Sequence, residues 1–177
     1  MTATDNDNNF EATTLPHLDA AYNLAYWLLR ERSAAEDVVQ ESLLRALTYF
    51  HSFHGGNPRA WFLRIVRNEA YAALNTQRRH SQMSLSHEPV EQASECLPDP
   101  GDTPEMALLR MRERQELRVL IDDLPTELRE CLILRELEDL PYKDIALITG
   151  VPVGTVMSRL WRARQLLIKP RDVVSIP

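Results

Sequence analysis

Several patterns that define common protein classes are missing from this chain of 177 residues. Its two cysteines, Cys96 and Cys131, are too few for a disulfide framework or a cysteine-rich zinc site. No apolar run approaches the ~20 residues of a membrane-spanning helix, so we expect no membrane insertion. The opening segment, MTATDNDNNFEATT, lacks the basic and then apolar layout of a signal peptide, which predicts a cytoplasmic protein.

Patterns of catalytic and metal sites are equally scarce. The sequence has no glycine-rich phosphate-binding loop and no nucleophile elbow. Its five histidines fall mostly in predicted tail, loop or linker segments, and none pairs with a cysteine or carboxylate at metal-ligand spacing. His51 and His54 flank Phe53, where a plain loop role is favoured over a metal site. The sequence therefore predicts no catalysis, no cofactor and no metal.

Basic residues are absent from one segment of the chain and acidic residues from another. Residues 81–109 contain six acids and no lysine or arginine, which equals the formal net charge of −6. Residues 145–171 contain five basic residues and no acid. The net acidity therefore belongs to one segment, and the C-terminal segment has no charge that would repel phosphate.

What the sequence does contain is helical periodicity in two separate stretches. Apolar residues recur at helical spacing from Leu18 onward and again from Thr103, and no strand-like alternation of any length occurs. Serines, prolines and acids between the two stretches predict a flexible acidic linker. The predicted fold class is all-α, with two small helical domains. The predicted divisions are a disordered tail (1–14), a first domain (15–80), the linker (81–103) and a second domain (104–170).

The second domain ends in a predicted helix-turn-helix. Tyr142–Thr149 forms the first helix, Gly150 supplies a left-handed turn residue, and Val153–Ile168 forms the second helix. On a helical wheel Val156 and Leu160 face the core, whereas polar side chains point away from it. The candidates for contacts with a DNA groove and its phosphates are Thr155, Ser158, Arg159 and Arg162, and Arg164 lies on the flank of the same face. A solvated arginine face on a structural helix is the alternative, and the motif alone does not decide between the two.

Two blocks of sequence, taken together, resemble a known protein family. The first combines AEDVVQE (35–41) with SFHGGNPRAWFLRIVRN (52–68), and the second is LPTELRECLILRELEDLPYKDIALITGVPVGTVMSRLWRAR (124–164). In this order, with a variable linker between them, they are similar to the extracytoplasmic-function sigma factors, the smallest sigma subunits of bacterial RNA polymerase. The resemblance covers roughly residues 15–168.

The resemblance implies a role for each domain. The first domain would bind core RNA polymerase and the melted minus-ten promoter element, and the second would read the minus-thirty-five element as duplex DNA. Core polymerase would contact the helix face of Asp37, Gln40 and Glu41, which without the resemblance would be an ordinary solvated face. The residues implied to bind the minus-ten element are Phe53, Arg59, Arg64, Arg67 and Asn68. The helix-turn-helix candidates would bind the minus-thirty-five element.

The same resemblance implies the partners and the function. The family is usually held inactive by an anti-sigma factor, so the expected partners are core RNA polymerase, promoter DNA and an anti-sigma factor. The implied function is that of an alternative sigma factor, responsive to stress or another signal, which directs promoter-specific initiation. A dimeric helix-turn-helix regulator that binds duplex DNA without polymerase is the alternative. That alternative leaves the block at 35–68 unexplained.

Overall fold

The computed structural model describes residues 3–83 and 103–168, and both ranges are built from helices. The first range, called here the N-terminal unit, contains α1 (Ala3–Thr14), α2 (Leu18–Leu29), α3 (Arg32–Tyr49) and α4 (Pro58–Met83), with 3-10 helices at Leu15–His17 and Phe50–Ser52. The second range, the C-terminal unit, contains α5 (Pro104–Asp122), α6 (Thr126–Glu136), α7 (Tyr142–Thr149) and α8 (Val153–Ile168). No strand occurs in these two ranges. The predicted all-α class is confirmed, while most of the predicted linker lies outside the described residues.

The sequence predicts a disordered tail over residues 1–14, whereas the structure has a helix, α1, over Ala3–Thr14 that contacts α4. The ring of Phe10 meets the ring of Phe50 edge to face, with 5.4 Å between their centroids. Thr14 is fully buried, and its hydroxyl donates to the Phe10 carbonyl oxygen at 2.9 Å. Contacts with residues distant in sequence, among them the one between Phe10 and Phe50, hold this polar segment, and its composition does not predict them.

The N-terminal unit buries one face from each of α2, α3 and α4. Leu24 and Leu28 of α2 lie one helical turn apart and are buried against Val38 of α3 and against Phe62 and Val66 of α4. This spacing of four residues places the apolar side chains of each helix on a single stripe. The outer side of α3 consequently remains in solvent, where it can meet another protein.

A side-chain cap begins one helix of the C-terminal unit, and a left-handed glycine ends another. Thr103 caps α5, because its Oγ1 accepts a hydrogen bond from the backbone N–H of Met106 at 3.3 Å. Gly150 ends α7 in the left-handed conformation with φ of +71°, and its N–H donates to the Ala146 carbonyl oxygen at 2.9 Å. The predicted turn at Gly150 is confirmed, and it sends α8 back across α7.

The two units share one hydrophobic core. α4 lies against α7, and α2 lies against α6. The largest buried cluster joins Leu24 and Phe62 of the N-terminal unit to Leu134, Ile145 and Leu160 of the C-terminal unit. The units that the sequence separates are therefore packed together in this structure.

The end of α5 adds polar contacts to this packing. The guanidinium of Arg118 lies over the rings of Tyr26 and Trp27, at 5.1 and 5.7 Å from their centroids, and it donates a hydrogen bond to the Tyr26 hydroxyl. Arg30 at the end of α2 donates to the backbone carbonyl of Asp122 and lies 3.6 Å from its carboxylate. These contacts fix the end of α5 against α2.

Candidate nucleic-acid interface

α8 carries the predicted DNA-reading side chains on its outer face. Val156 and Leu160 are buried in the core, whereas Ser158 and Arg162 are exposed, as the helical wheel predicts. The Ser158 hydroxyl donates to the carbonyl oxygen of half-buried Thr155 at 3.0 Å within the helix. α8 contains no acidic residue from its first to its last position. The exposed face therefore offers hydrogen-bond donors and positive charge without a competing carboxylate of its own.

The other two arginines of this set already hold carboxylates of α6. Nη1 of Arg159 lies 3.2 Å from Oε1 of Glu130, which is fully buried. Nη2 of Arg164 lies 2.7 Å from Oε1 of Glu136, and both of these side chains are about half exposed. Among the three candidate arginines of α8, Arg162 is exposed and is the one that forms no ion pair with these two carboxylates of α6.

The minus-ten candidates lie at the start of α4 and in the loop before it. Phe53 is partly exposed, and its ring lies 4.9 Å from Trp61 and 6.2 Å from Phe50. Arg64 and Asn68 are exposed one helical turn apart on α4. Trp61 packs against both phenylalanines at the edge of the core. Phe53 thus belongs to an aromatic cluster, and α4 has an exposed polar face.

The polymerase-binding candidates share one exposed face of α3. Asp37, Gln40 and Glu41 are all exposed, and Leu44 continues the same face with 62% of its surface accessible. Glu41 lies 3.4 Å from Nε of Arg45, a weak pair in open solvent. Three polar side chains and an exposed leucine therefore share one solvent-facing side of α3.

A buried carboxylate of the C-terminal unit holds two arginines that sequence analysis assigns to different promoter elements. Nε of Arg67 on α4 lies 2.8 Å from Oε2 of Glu130, and Nη2 lies 3.3 Å from its Oε1. The same Oε1 accepts from Arg159 of α8. The guanidinium of Arg67 also stacks over Tyr71, at 4.3 Å from the ring centroid. One side chain of α6 therefore joins α4 to α8.

Two further acids of the C-terminal unit reach the N-terminal unit. Oε2 of Glu138 lies 2.6 Å from Nη2 of Arg59, and its Oε1 accepts from the amide of Asn23 at 3.0 Å. Oδ2 of Asp144 accepts from the amide of Asn57 at 2.7 Å. Minus-ten candidate Arg59 is thus bound to a carboxylate in the same way as Arg67.

The sequence motifs do not identify these three acids, but the helical pattern around Glu130 places it at a buried position. The apolar residues Ile133 and Leu134 mark the buried face of α6, and a helical period places Glu130 on that face. Burial raises the pKa of the Glu130 carboxyl above its ordinary value, and hydrogen bonds from Arg67 counteract part of that rise. A carboxylate at a core position predicts a basic partner buried beside it.

The histidines of the loop before α4 make hydrogen bonds with the backbone. Nδ1 of His51 lies 3.1 Å from the Thr48 carbonyl oxygen, and Nδ1 of His54 lies 2.7 Å from that of Ser52. Within residues 3–83 and 103–168 no group of three or more histidine, cysteine or acidic side chains could hold a metal ion. No helix in the same ranges is long and apolar enough to cross a membrane.

Comparison with known protein families gives two matches that cover the two units. The model described as Sigma-70 region 2 matches residues 15–80, and the model described as Sigma-70, region 4 matches residues 114–167.

Three curated relatives are similar to most of the chain. The ECF RNA polymerase sigma-E factor of Haemophilus influenzae is 39% identical over 140 residues, which cover 77% of this chain and 74% of the relative. The RNA polymerase sigma-H factor of Pseudomonas aeruginosa is 33% identical, and the match covers 90% of this chain and 84% of that protein. ECF RNA polymerase sigma factor SigE of Mycolicibacterium smegmatis is 32% identical over 85% of this chain, and the match spans 57% of that longer protein.

Two solved structures are similar in fold. The sigma factor RpoE in complex with the anti-sigma factor NepR, from Bartonella quintana, has a TM-score of 0.72 and 29% identity, with 90% of this chain and 94% of that chain covered. CnrH in complex with the cytosolic domain of CnrY has a TM-score of 0.59 and 20% identity, with 93% and 88% covered, and this match concerns the fold alone.

Proposed function

This chain belongs to the extracytoplasmic-function (ECF) sigma factors of RNA polymerase, and we propose that separate exposed surfaces bind core polymerase, the minus-ten element and the minus-thirty-five element. The N-terminal unit corresponds to region 2, and the C-terminal unit to region 4. The observation that carries the proposal is the exposed outer face of α8, with Ser158 and Arg162 directed to solvent on an acid-free helix. A dimeric helix-turn-helix regulator does not account for a region 2 match over residues 15–80.

For the minus-thirty-five element, α8 enters the major groove of duplex DNA. Side chains near the start of a recognition helix reach base edges, and flanking cations bind phosphates. In this assignment Thr155, Ser158 and Arg162 lie closest to the bases. Arg159 and Arg164 bind phosphates once their carboxylate partners release them.

For the minus-ten element, region 2 binds the melted strand. Exposed aromatic rings stack on unpaired bases, and arginines follow the backbone. Phe53 supplies the ring, and Asn68 supplies an amide for a base edge. The cations along the same helix are Arg59, Arg64 and Arg67.

For core polymerase, the exposed face of α3 is the binding surface, with Asp37, Gln40 and Glu41 as polar contacts and Leu44 as an apolar one. We further assign an anti-sigma factor as a partner, since RpoE, at 29% identity and a TM-score of 0.72, is seen in complex with NepR. The protein acts in the cytoplasm and performs no catalysis of its own, because RNA synthesis belongs to the polymerase.

The test is reconstitution with core RNA polymerase. We expect the chain plus core enzyme to start run-off transcripts from a subset of promoters, and the Asp37→Ala variant to bind core about tenfold more weakly. Glu36→Ala is the matched control, because Glu36 is an exposed acid of α3 about 100° around the helix from Asp37. Promoter duplex bound equally well with and without core enzyme, and equal core affinity for both variants, would contradict the assignment.

A further inference from the structure

The helix that the proposed function places along the melted strand, α4, contains a single acidic residue among five arginines. That residue, Glu69, directly follows Asn68, which is exposed and is assigned to a base edge. At this position a carboxylate lies close to the phosphates of a bound strand, and like charges repel within a screening length of about 10 Å at 0.1 M salt. The charge of Glu69 therefore opposes strand binding unless a cation neutralises it.

A cation for Glu69 comes from the neighbouring helix, α3. Nε of Arg45 lies 2.9 Å from Oε1 of Glu69, and it donates a longer hydrogen bond, of 3.4 Å, to Oε1 of Glu41. The Glu69 side chain keeps 12% of its accessible surface, whereas the side chains of Arg45 and Glu41 keep 51% and 53%. The shorter and less exposed of the two ion pairs is thus the one with α4. Both pairs lie within the N-terminal unit and involve no residue of the C-terminal unit.

The ion pair between Arg45 and Glu69 contributes little to the packing of the two helices. α3 and α4 are already held together by buried apolar residues, among them Val38, Ala46 and Val66. An ion pair whose arginine is half exposed adds little to stability, because solvent screens it. The main effect of the pair is instead on the carboxylate of Glu69, which is turned towards α3 and neutralised there.

We propose that Arg45 is a positioning residue for minus-ten recognition, which holds the Glu69 carboxylate against α3 and away from the strand. Arg45 itself does not touch the strand, and its effect on DNA passes through Glu69. Glu41, the second partner of Arg45, belongs to the proposed polymerase-binding face. When core polymerase binds Glu41, the guanidinium of Arg45 remains with Glu69. This inference rests on the proposed DNA-binding role of α4.

The test is a double-mutant cycle on the holoenzyme reconstituted with core RNA polymerase. The probe is a fluorescein-labelled single-stranded oligonucleotide with the non-template minus-ten sequence of a promoter that the wild-type holoenzyme transcribes. Its affinity is measured by fluorescence anisotropy, with each variant in excess over core enzyme so that differences in core affinity do not enter the result. Arg45→Gln releases the carboxylate of Glu69 towards the strand, and we expect about threefold weaker binding.

The second arm of the cycle separates positioning from a simple change of charge. In the wild-type background Glu69→Gln should change the affinity by less than about 1.5-fold, because the carboxylate is already held and Arg45 keeps Glu41 as a partner. In the Arg45→Gln background the same substitution should tighten binding about threefold and restore it to near the wild-type level. An equal effect of Glu69→Gln in both backgrounds would mean that the two charges act independently, and it would overturn the inference.

Two further variants complete the experiment. Arg32→Gln is the matched control, because it removes an exposed arginine of α3 that lies 13 positions before Arg45, or ~20 Å along the helix. A loss equal to that of Arg45→Gln in this control would contradict a specific role of Arg45. Arg64 is exposed on α4, and the proposed function places it on a phosphate. Weaker binding by Arg64→Gln without coupling between positions 45 and 69 retains the DNA face and overturns the role of Arg45. No effect of Arg64→Gln overturns the DNA face itself, and the inference with it.

Discussion

Arg159 and Arg162 lie three residues apart on one helix and have different surroundings. Arg159 is drawn inward to the buried carboxylate of Glu130, whereas Arg162 extends into solvent. The wheel position predicts the exposure of Arg162, since it depends on helical geometry alone. The partner of Arg159 is 29 residues away in sequence, and that of Arg67 is 63 residues away, so local pattern could not predict either ion pair.

At the residue scale we predict that Arg162→Ala lowers initiation about tenfold at promoters that the wild-type holoenzyme uses. The reason is the loss of a charged donor on the groove-facing side of α8, worth about 1–3 kcal/mol when it contacts a base. Run-off transcription with reconstituted holoenzyme provides the measurement. Arg112→Ala serves as the control, because it removes one exposed arginine from α5. Equal activity of both variants at several promoters would remove Arg162 from the interface.

At the scale of the helix, the sequence predicts the C-terminal unit more closely than the start of the chain. The predicted pair Tyr142–Thr149 and Val153–Ile168 coincides with α7 and α8, because a left-handed glycine and a clear apolar stripe mark its limits. α1 has no such stripe, and it is held through Phe10 and Phe50. α4 continues to Met83, three residues beyond the predicted domain boundary, because polar helix formers give no stop signal.

The turn between α7 and α8 gives a prediction at this scale. Gly150→Ala places a Cβ on a residue with φ of +71°, and we expect a loss of about 1–2 kcal/mol in the free energy of unfolding. Gly154→Ala is the matched control, because Gly154 lies in the first turn of α8 with open space around it. We expect that control to be neutral or to stabilise by up to about 1 kcal/mol. Urea denaturation followed by circular dichroism separates the two outcomes.

For the whole molecule, the sequence indicates two helical units, and the structure shows that they share a core. Apolar periodicity identifies which side of each helix is buried but does not identify the helix that covers it. Leu134 meets residues of both units in the large cluster, whereas Leu132 belongs to a small cluster with Leu124 and Ala163 of its own unit. Two neighbouring leucines of α6 thus support different parts of the molecule.

This difference predicts which helices are destabilised when a cavity is created at each leucine. Leu134→Ala and Leu132→Ala each remove a buried leucine and should each cost about 2–5 kcal/mol. Leu134→Ala should accelerate hydrogen exchange in α2 and α4 as well as in the C-terminal unit, since it weakens the contact between the units. Leu132→Ala should change exchange within the C-terminal unit alone. The same exchange pattern in both variants would contradict a core shared between the units.

The ion pairs between the units have a kinetic consequence, because both partners of each pair belong to one polypeptide. Their closure is a first-order reaction, whose rate does not depend on how many copies of the protein a cell contains. A contact between two separate proteins forms by a second-order encounter, which slows in proportion to dilution. The packing of the two units therefore persists at any dilution, whereas a complex of two separate proteins dissociates as both are diluted.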